Sequence, residues 1–96
     1  MSLSDARNVL SRFAACGDGM PVSYAQAFIE IAEDPGLSIT TLAERVSMPL
    51  STVSRIVSAL SDAKKYNLVT VDIAQDEKRR KVVGLTARGT QLAETL

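Results

Sequence analysis

An α+β fold, mostly α, follows from two changes of rhythm along the 96 residues. Up to Tyr66 the apolar residues recur at helical spacing, from Leu68 they alternate with polar ones, and after Thr86 the helical spacing returns. A proline between two short helical runs, Pro49, removes a backbone donor and disfavours helical geometry at Met48, which marks a tight turn. These observations predict a three-helix core, a β-hairpin and a short last helix, all in one domain covering residues 1–96.

Taken in order, Ser4 is expected to cap a first helix in which Ala6, Val9, Leu10 and Phe13 share a side. Cys16-Gly17-Asp18-Gly19 ends it, with two glycines available for left-handed backbone. A second helix is announced by Pro21 and by the capping box of Ser23 and Gln26, and Pro35-Gly36 stops it. Its stripe is Tyr24, Ala27, Phe28 and Ile31. At this spacing the two aromatics read as core rather than as a ligand box. Ser38 caps the third helix, with Ile39, Leu42, Ala43 and Val46 at i, i+3, i+4, i+7. After Ser47-Met48-Pro49 a fourth helix starts near Leu50 and repeats the pattern with Val53, Ile56, Val57 and Leu60. It is expected to run on to Tyr66, with Asn67 taking the left-handed position after it. Ala43 is small enough for the two helices to approach closely, and Met48 can fill the apolar angle between them.

Two short helices joined by such a turn are a helix-turn-helix, whose second helix enters the DNA major groove. The side of that helix opposite its apolar stripe carries Ser51, Arg55, Ser58 and Asp62, flanked by Thr52 and Ser54. Hydroxyls donate or accept at base edges and phosphates, and an arginine can grip guanine with two hydrogen bonds. A face meant only for solvent more often carries Glu and Lys at i, i+4.

Val69, Val71 and Ile73, alternating with Thr70 and Asp72, predict a half-buried strand. Lys81-Val82-Val83-Gly84-Leu85 predicts its partner, and the connection between them is strongly charged. A hairpin placed directly after a helix-turn-helix is a wing. Here the wing, Ala74–Lys81, carries Lys78, Arg79, Arg80 and Lys81, which can reach the backbone or the minor groove beside the recognition helix. Thr86 is expected to cap the last helix, with Leu92, Ala93 and Leu96 apolar.

Composition narrows the function classes. With one cysteine and no histidine, neither a metal cage nor a Ser-His or Cys-His nucleophile pair can be built. No Gly-rich phosphate loop is present, so no catalytic residues, metal or cofactor are expected and the chain does not read as an enzyme. There is no apolar run of membrane-spanning length and no signal segment at the start, and a single cysteine fits a reducing, cytoplasmic setting. Cys16 lies beside Ala14 and Ala15 with no flanking base, and so reads as a small buried hydrophobe rather than a redox sensor. The net charge of zero hides a segregation: residues 1–44 hold two basic and six acidic side chains, residues 45–88 nine and four. The basic half contains the recognition helix and the wing, which suggests an electrostatic footprint on one face.

From about Ser23 to Gly89 the chain resembles the MarR family of winged-helix regulators. The resemblance is carried by Thr41-Leu42-Ala43-Glu44-Arg45-Val46, by Ser51-Thr52-Val53-Ser54-Arg55-Ile56-Val57, and by Glu77-Lys78-Arg79 followed by Leu85-Thr86-Ala87-Arg88-Gly89. It implies that Ser51, Thr52, Ser54 and Arg55 stand at the DNA-facing start of the recognition helix. It also implies that Arg79 reaches the minor groove, with Glu77, in place of the family's aspartate, as its support. Two departures are visible. The interval from Leu60 to Leu68 is about three residues longer than in the family, and Asn67 stands where the family has glycine.

The function expected is sequence-specific binding of double-stranded DNA in transcriptional regulation, through Ser51, Thr52, Ser54, Arg55, Ser58, Lys78, Arg79 and Arg80. The other reading is a winged helix that docks a protein, although such a face would expose more aromatics and leucines. A homodimer through the first and last helices is expected, using Val9, Leu10, Phe13, Leu92 and Leu96. Sensing of a small effector would further require a pocket.

Overall fold

The computed structural model describes residues 1–16, 19–75 and 80–96. Among them, five helices and one antiparallel hairpin follow in the order α1 (Leu3–Ala14), α2 (Val22–Glu33), α3 (Ile39–Val46), α4 (Leu50–Ser61), β1 (Val69–Ile73), β2 (Lys81–Leu85) and α5 (Ala87–Thr95).

The core forms where the apolar stripes converge. Phe28 and Ile31 of α2, Leu42 of α3, and Val53, Val57 and Leu60 of α4 are fully buried together with Leu68, Val69 and Val83. Tyr24 and Val46, expected on the same stripes, lie half-buried at its edge. Helix α1 joins this core through Phe13, whose ring meets Phe28 edge-on at 5.8 Å.

Three helix ends differ from the sequence expectation. Ser2, not Ser4, caps α1: its hydroxyl accepts from the Asp5 N–H and the Asp5 carboxylate accepts from the Ser2 N–H. Ser4 has Arg7 three residues on and cannot form that reciprocal pair. Ser23 does not cap α2, because Pro21 occupies the capping position and its carbonyl accepts from the Ala25 N–H, leaving Ser23 inside the first turn. Helix α4 ends at Ser61 rather than Tyr66. Asp62 turns to extended backbone (ψ 115°) and its carboxylate accepts from the Lys64 N–H at 2.9 Å. A short acceptor side chain that bonds the backbone two residues on competes with helix continuation. Asn67 does take the expected left-handed conformation, at φ 52°. Ser38 caps α3 as expected, accepting from the Thr41 N–H.

The turn after α4 ties the helix back to the start of the chain. Tyr66 donates its hydroxyl to the Gly19 carbonyl at 2.9 Å, and its ring meets Tyr24 edge-on at 6.0 Å. Tyr66 belongs to the segment that is longer here than in the resembled family.

Strands β1 and β2 pair from Val69↔Leu85 to Ile73↔Lys81. The alternation expected for β1 holds in direction but not in burial: Val71 and Ile73 are 39% and 49% exposed. Burial along β1 falls off from Val69 toward Ile73. Val83 stays buried because β2 has a second neighbour. Its N–H donates to the Leu37 carbonyl, its carbonyl accepts from the Gly36 N–H, and Val82 bridges Ser38. This third rung was not legible in the sequence, where residues 36–38 read only as a helix stop and a helix cap.

A clasp joins the hairpin to α5. The Leu68 N–H donates to the Leu60 carbonyl and the Leu68 carbonyl accepts from the Thr86 N–H. The Thr86 hydroxyl donates to the Asn67 carbonyl at 2.7 Å and accepts from the Gly89 N–H at 3.0 Å. Helix α5 therefore starts against the backbone of Leu68, and a Cβ on Gly89 would fall on the Leu68 carbonyl oxygen. Gly89→Ala should lower stability by about 1–3 kcal/mol or more, read as a lower urea midpoint, because backbone has to move. Gly84→Ala should be much milder, since its Cβ would meet only the Thr70 hydroxyl, at 3.1 Å.

Candidate nucleic-acid interface

Helix α4 separates two chemistries. Val53, Ile56, Val57 and Leu60 face the core, while Ser51, Ser54, Arg55 and Ser58 are exposed and Thr52 is half-buried. The expected hydroxyl and arginine face is thus presented outward on one continuous helix. Asp62, expected at the far end of that face, lies beyond the helix, as do Lys64 and Lys65, which are exposed in the turn that follows.

At the wing, the Arg80 carbonyl accepts from the Ala74 N–H at 2.7 Å, and Lys81 stands opposite Ile73 in the last pair of the hairpin. Both cationic residues are exposed. Glu77, Lys78 and Arg79 lie outside the described residues. Between the loop end of the hairpin and the starts of α3 and α4 lies a notch of about 220 Å³, walled by Thr40, Leu50, Ser54, Arg80 and Lys81 among others. Thr40 was not among the expected site residues. Its position on the outer side of the first helix-turn-helix helix was the available signal. On the other side of Arg80, Arg45 pairs with Asp34 at 2.9 Å, half exposed and therefore a weak contributor to stability.

Away from this face, α1 and α5 flank an open cleft of about 1090 Å³ bordered by Val9, Cys16, Leu68, Arg88, Leu92 and Leu96. Phe13, expected at a dimer contact, is instead 2% exposed and part of the core. Cys16 is buried, as its apolar reading required, and its thiol meets the Arg12 carbonyl at 3.5 Å. Burial raises its pKa, with Arg88 opposing through its charge. The thiolate is scarce at neutral pH, so iodoacetamide should modify Cys16 more slowly in the folded than in the urea-unfolded protein. The rise of the folded rate with pH should fall above the ordinary thiol range.

Among the described residues no helix is long and apolar enough to cross a membrane. Residues 29–63, which include the whole helix-turn-helix, match the winged helix-turn-helix DNA-binding family. No curated protein matches the chain in sequence. Its structure is similar to the PcaV transcriptional regulator of Streptomyces coelicolor, at 24% identity and a TM-score of 0.69 over 96% of this chain and 62% of PcaV. It is also similar to MepR of Staphylococcus aureus, a transcription regulator of the multidrug efflux pump MepA. That match has 25% identity and a TM-score of 0.63, over 76% of this chain and 52% of MepR. The structure of MepR bound to DNA superposes with a TM-score of 0.73 at 22% identity, over 97% of this chain and 70% of MepR. A MarR protein of Peptoclostridium difficile matches at 17% identity and a TM-score of 0.67, over 75% of this chain and 45% of that one. The chain thus spans less than two thirds of the length of PcaV.

Fold and matched segment together give a winged helix-turn-helix architecture whose helix-turn-helix segment matches a DNA-binding family. Its architecture is similar to that of PcaV, MepR and the MarR protein, in line with the resemblance that the motifs carry.

Proposed function

We propose that residues 1–96 act as one domain that binds double-stranded DNA sequence-specifically in transcriptional regulation, in a cytoplasmic setting. Helix α4 enters the major groove, and the wing lies at the adjacent minor groove or backbone. The observation that supports this most strongly is the exposed face of α4, where Ser51, Ser54, Arg55 and Ser58 stand opposite a buried apolar stripe. Thr52 borders that face, and Lys78, Arg79 and Arg80 supply positive charge from the wing. Arg79, steadied by Glu77, takes the minor-groove role that the resemblance implies. MepR, whose structure is known with DNA, lends the reading support.

Selection of duplexes from a random pool at two salt concentrations tests this directly. Enriched sequences with steep salt dependence are expected, and no binding at low salt would overturn the proposal. Arg55→Ala should weaken binding to the selected site by about 1–3 kcal/mol and relax the preference at one base position. An unchanged preference would move Arg55 to a phosphate.

The active unit is a homodimer, since two half-sites multiply the weak grip of one winged helix. Leu3 and Leu10 on α1 and Leu96 at the end of α5 are exposed apolar residues, 88%, 56% and 41% accessible, and support a contact through those helices. Val9 and Leu92 border the cleft between them, and Phe13 takes no part. Sedimentation at tens of micromolar should show a dimer, and the pool should yield inverted repeats. A monomer selecting a single half-site would contradict this.

A further inference from the structure

A strand at the margin of a sheet carries backbone groups that no neighbouring strand meets. Residues 36–38, β2 and β1 lie side by side in that order, and among the described residues β1 pairs with β2 alone. Hydrogen bonds at the two ends of the hairpin fix which groups of β1 look outward. The Thr86 N–H donates to the Leu68 carbonyl, and the Ala74 N–H donates to the Arg80 carbonyl. Bonded and non-bonded pairs alternate along an antiparallel ladder, so Thr70 and Asp72 bond to β2 as well. Val69, Val71 and Ile73 then turn their N–H and carbonyl groups away from β2. Val83, opposite Val71, obeys the same rule on its own strand, since its outward groups meet Leu37 and Gly36.

This edge is also apolar where it is accessible. Val71 and Ile73, both well exposed, share a face with the buried Val69 and Val83. Residues 69–73 hold neither the proline nor the lysine that commonly protects an exposed edge, and a single charge, Asp72. That charge points to the partner. Two copies of β1 can pair antiparallel about a two-fold axis if their outward residues stand opposite each other. Centred on Val71, such a pair sets Val71 against Val71 of the second copy and Ile73 against its Val69. Asp72 then faces Thr70 of the second copy, and symmetry repeats the contact, a hydroxyl donating to a carboxylate each time. Sliding the strands until Val71 meets Ile73 would instead put the two Asp72 carboxylates face to face. The segment Val69–Ile73 is therefore complementary to itself about Val71.

We propose that the free edge of β1 docks β1 of a second copy, so that two hairpins join into one antiparallel sheet. Val71 and Ile73 of both copies then lie side by side on one face of that sheet. The contact uses neither α1 nor α5 and does not depend on DNA binding. It is thus separate from the helical homodimer, and a chain that uses both surfaces assembles beyond a dimer.

The test is sedimentation of the full chain from micromolar to millimolar concentration, without DNA. Leu10→Glu and Leu96→Glu together place charges on exposed leucines of the helical surface, and this double variant should still form a dimer. Adding Val71→Pro should leave a monomer. The N–H that it removes points away from β2, so the hairpin keeps its ladder and the circular dichroism should be unchanged. Val71→Lys in its place sets like charges opposite each other and should raise the dissociation constant about fivefold or more. Thr70→Lys should act in the other direction, because it brings an ammonium opposite Asp72 of the second copy. It should tighten the pair about threefold, and high salt should undo the gain. A double leucine variant that stays monomeric throughout, or a dimer that both Val71 changes leave intact, overturns the proposal. So does a displayed extended peptide of another sequence that binds this edge more tightly than the chain binds itself, which would give the edge to a foreign strand.

Discussion

The backbone of Leu68 holds three elements of the fold together. Its N–H closes the turn after α4 onto Leu60, its carbonyl receives Thr86 at the start of α5, and its side chain is buried in the core. Each of these hydrogen bonds is ordinary by itself, worth about 1 kcal/mol net. Their convergence on one residue fixes where the wing leaves the body relative to α4. The glycine at 89 follows from this convergence, because α5 can pass so close to a carbonyl only without a side chain at that point. The leucine, threonine and glycine of the junction at residues 85–89 therefore read as the parts of one clasp.

Much of this was legible in the sequence. Periodicity located every helix and both strands, since burial imposes 3.6 and 2.0 residue repeats that survive whatever else varies. The helix-turn-helix itself was readable because Ser38, Ala43 and Pro49 each have one strong local meaning. What escaped was decided by groups distant in sequence or by close local competition. Ser2 and Ser4 were both eligible caps, and the carboxylate at position 5 chose between them. Residues 36–38 gave no strand signal, yet they supply the second neighbour of β2 because the chain returns there 44 to 47 residues later. The early end of α4 turned on Asp62, which on a helical wheel looked like one more polar surface residue.

The longer segment between Leu60 and Leu68 shows how a departure from a motif can acquire a structural role. It carries Tyr66 to the Gly19 carbonyl and against the ring of Tyr24. The connection between α1 and α2 is thereby fastened to the end of the helix that faces outward. Edge-on aromatic pairs contribute about 0.5–1.5 kcal/mol beyond their buried area. That is enough to hold a short turn in one arrangement without help from regular secondary structure.

The division of α4 into a buried stripe and an exposed polar face also bears on how such a chain changes over generations. Ser51, Ser54, Arg55 and Ser58 contribute little to the packed interior, and exchanges at exposed helix positions usually shift stability by no more than about 0.5 kcal/mol. Val53, Ile56, Val57 and Leu60 answer to the interior alone. Mutation can therefore explore new chemistry on the outward face while the scaffold remains folded. One architecture of this kind can diversify into many recognition surfaces by single substitutions, each intermediate remaining a stable protein.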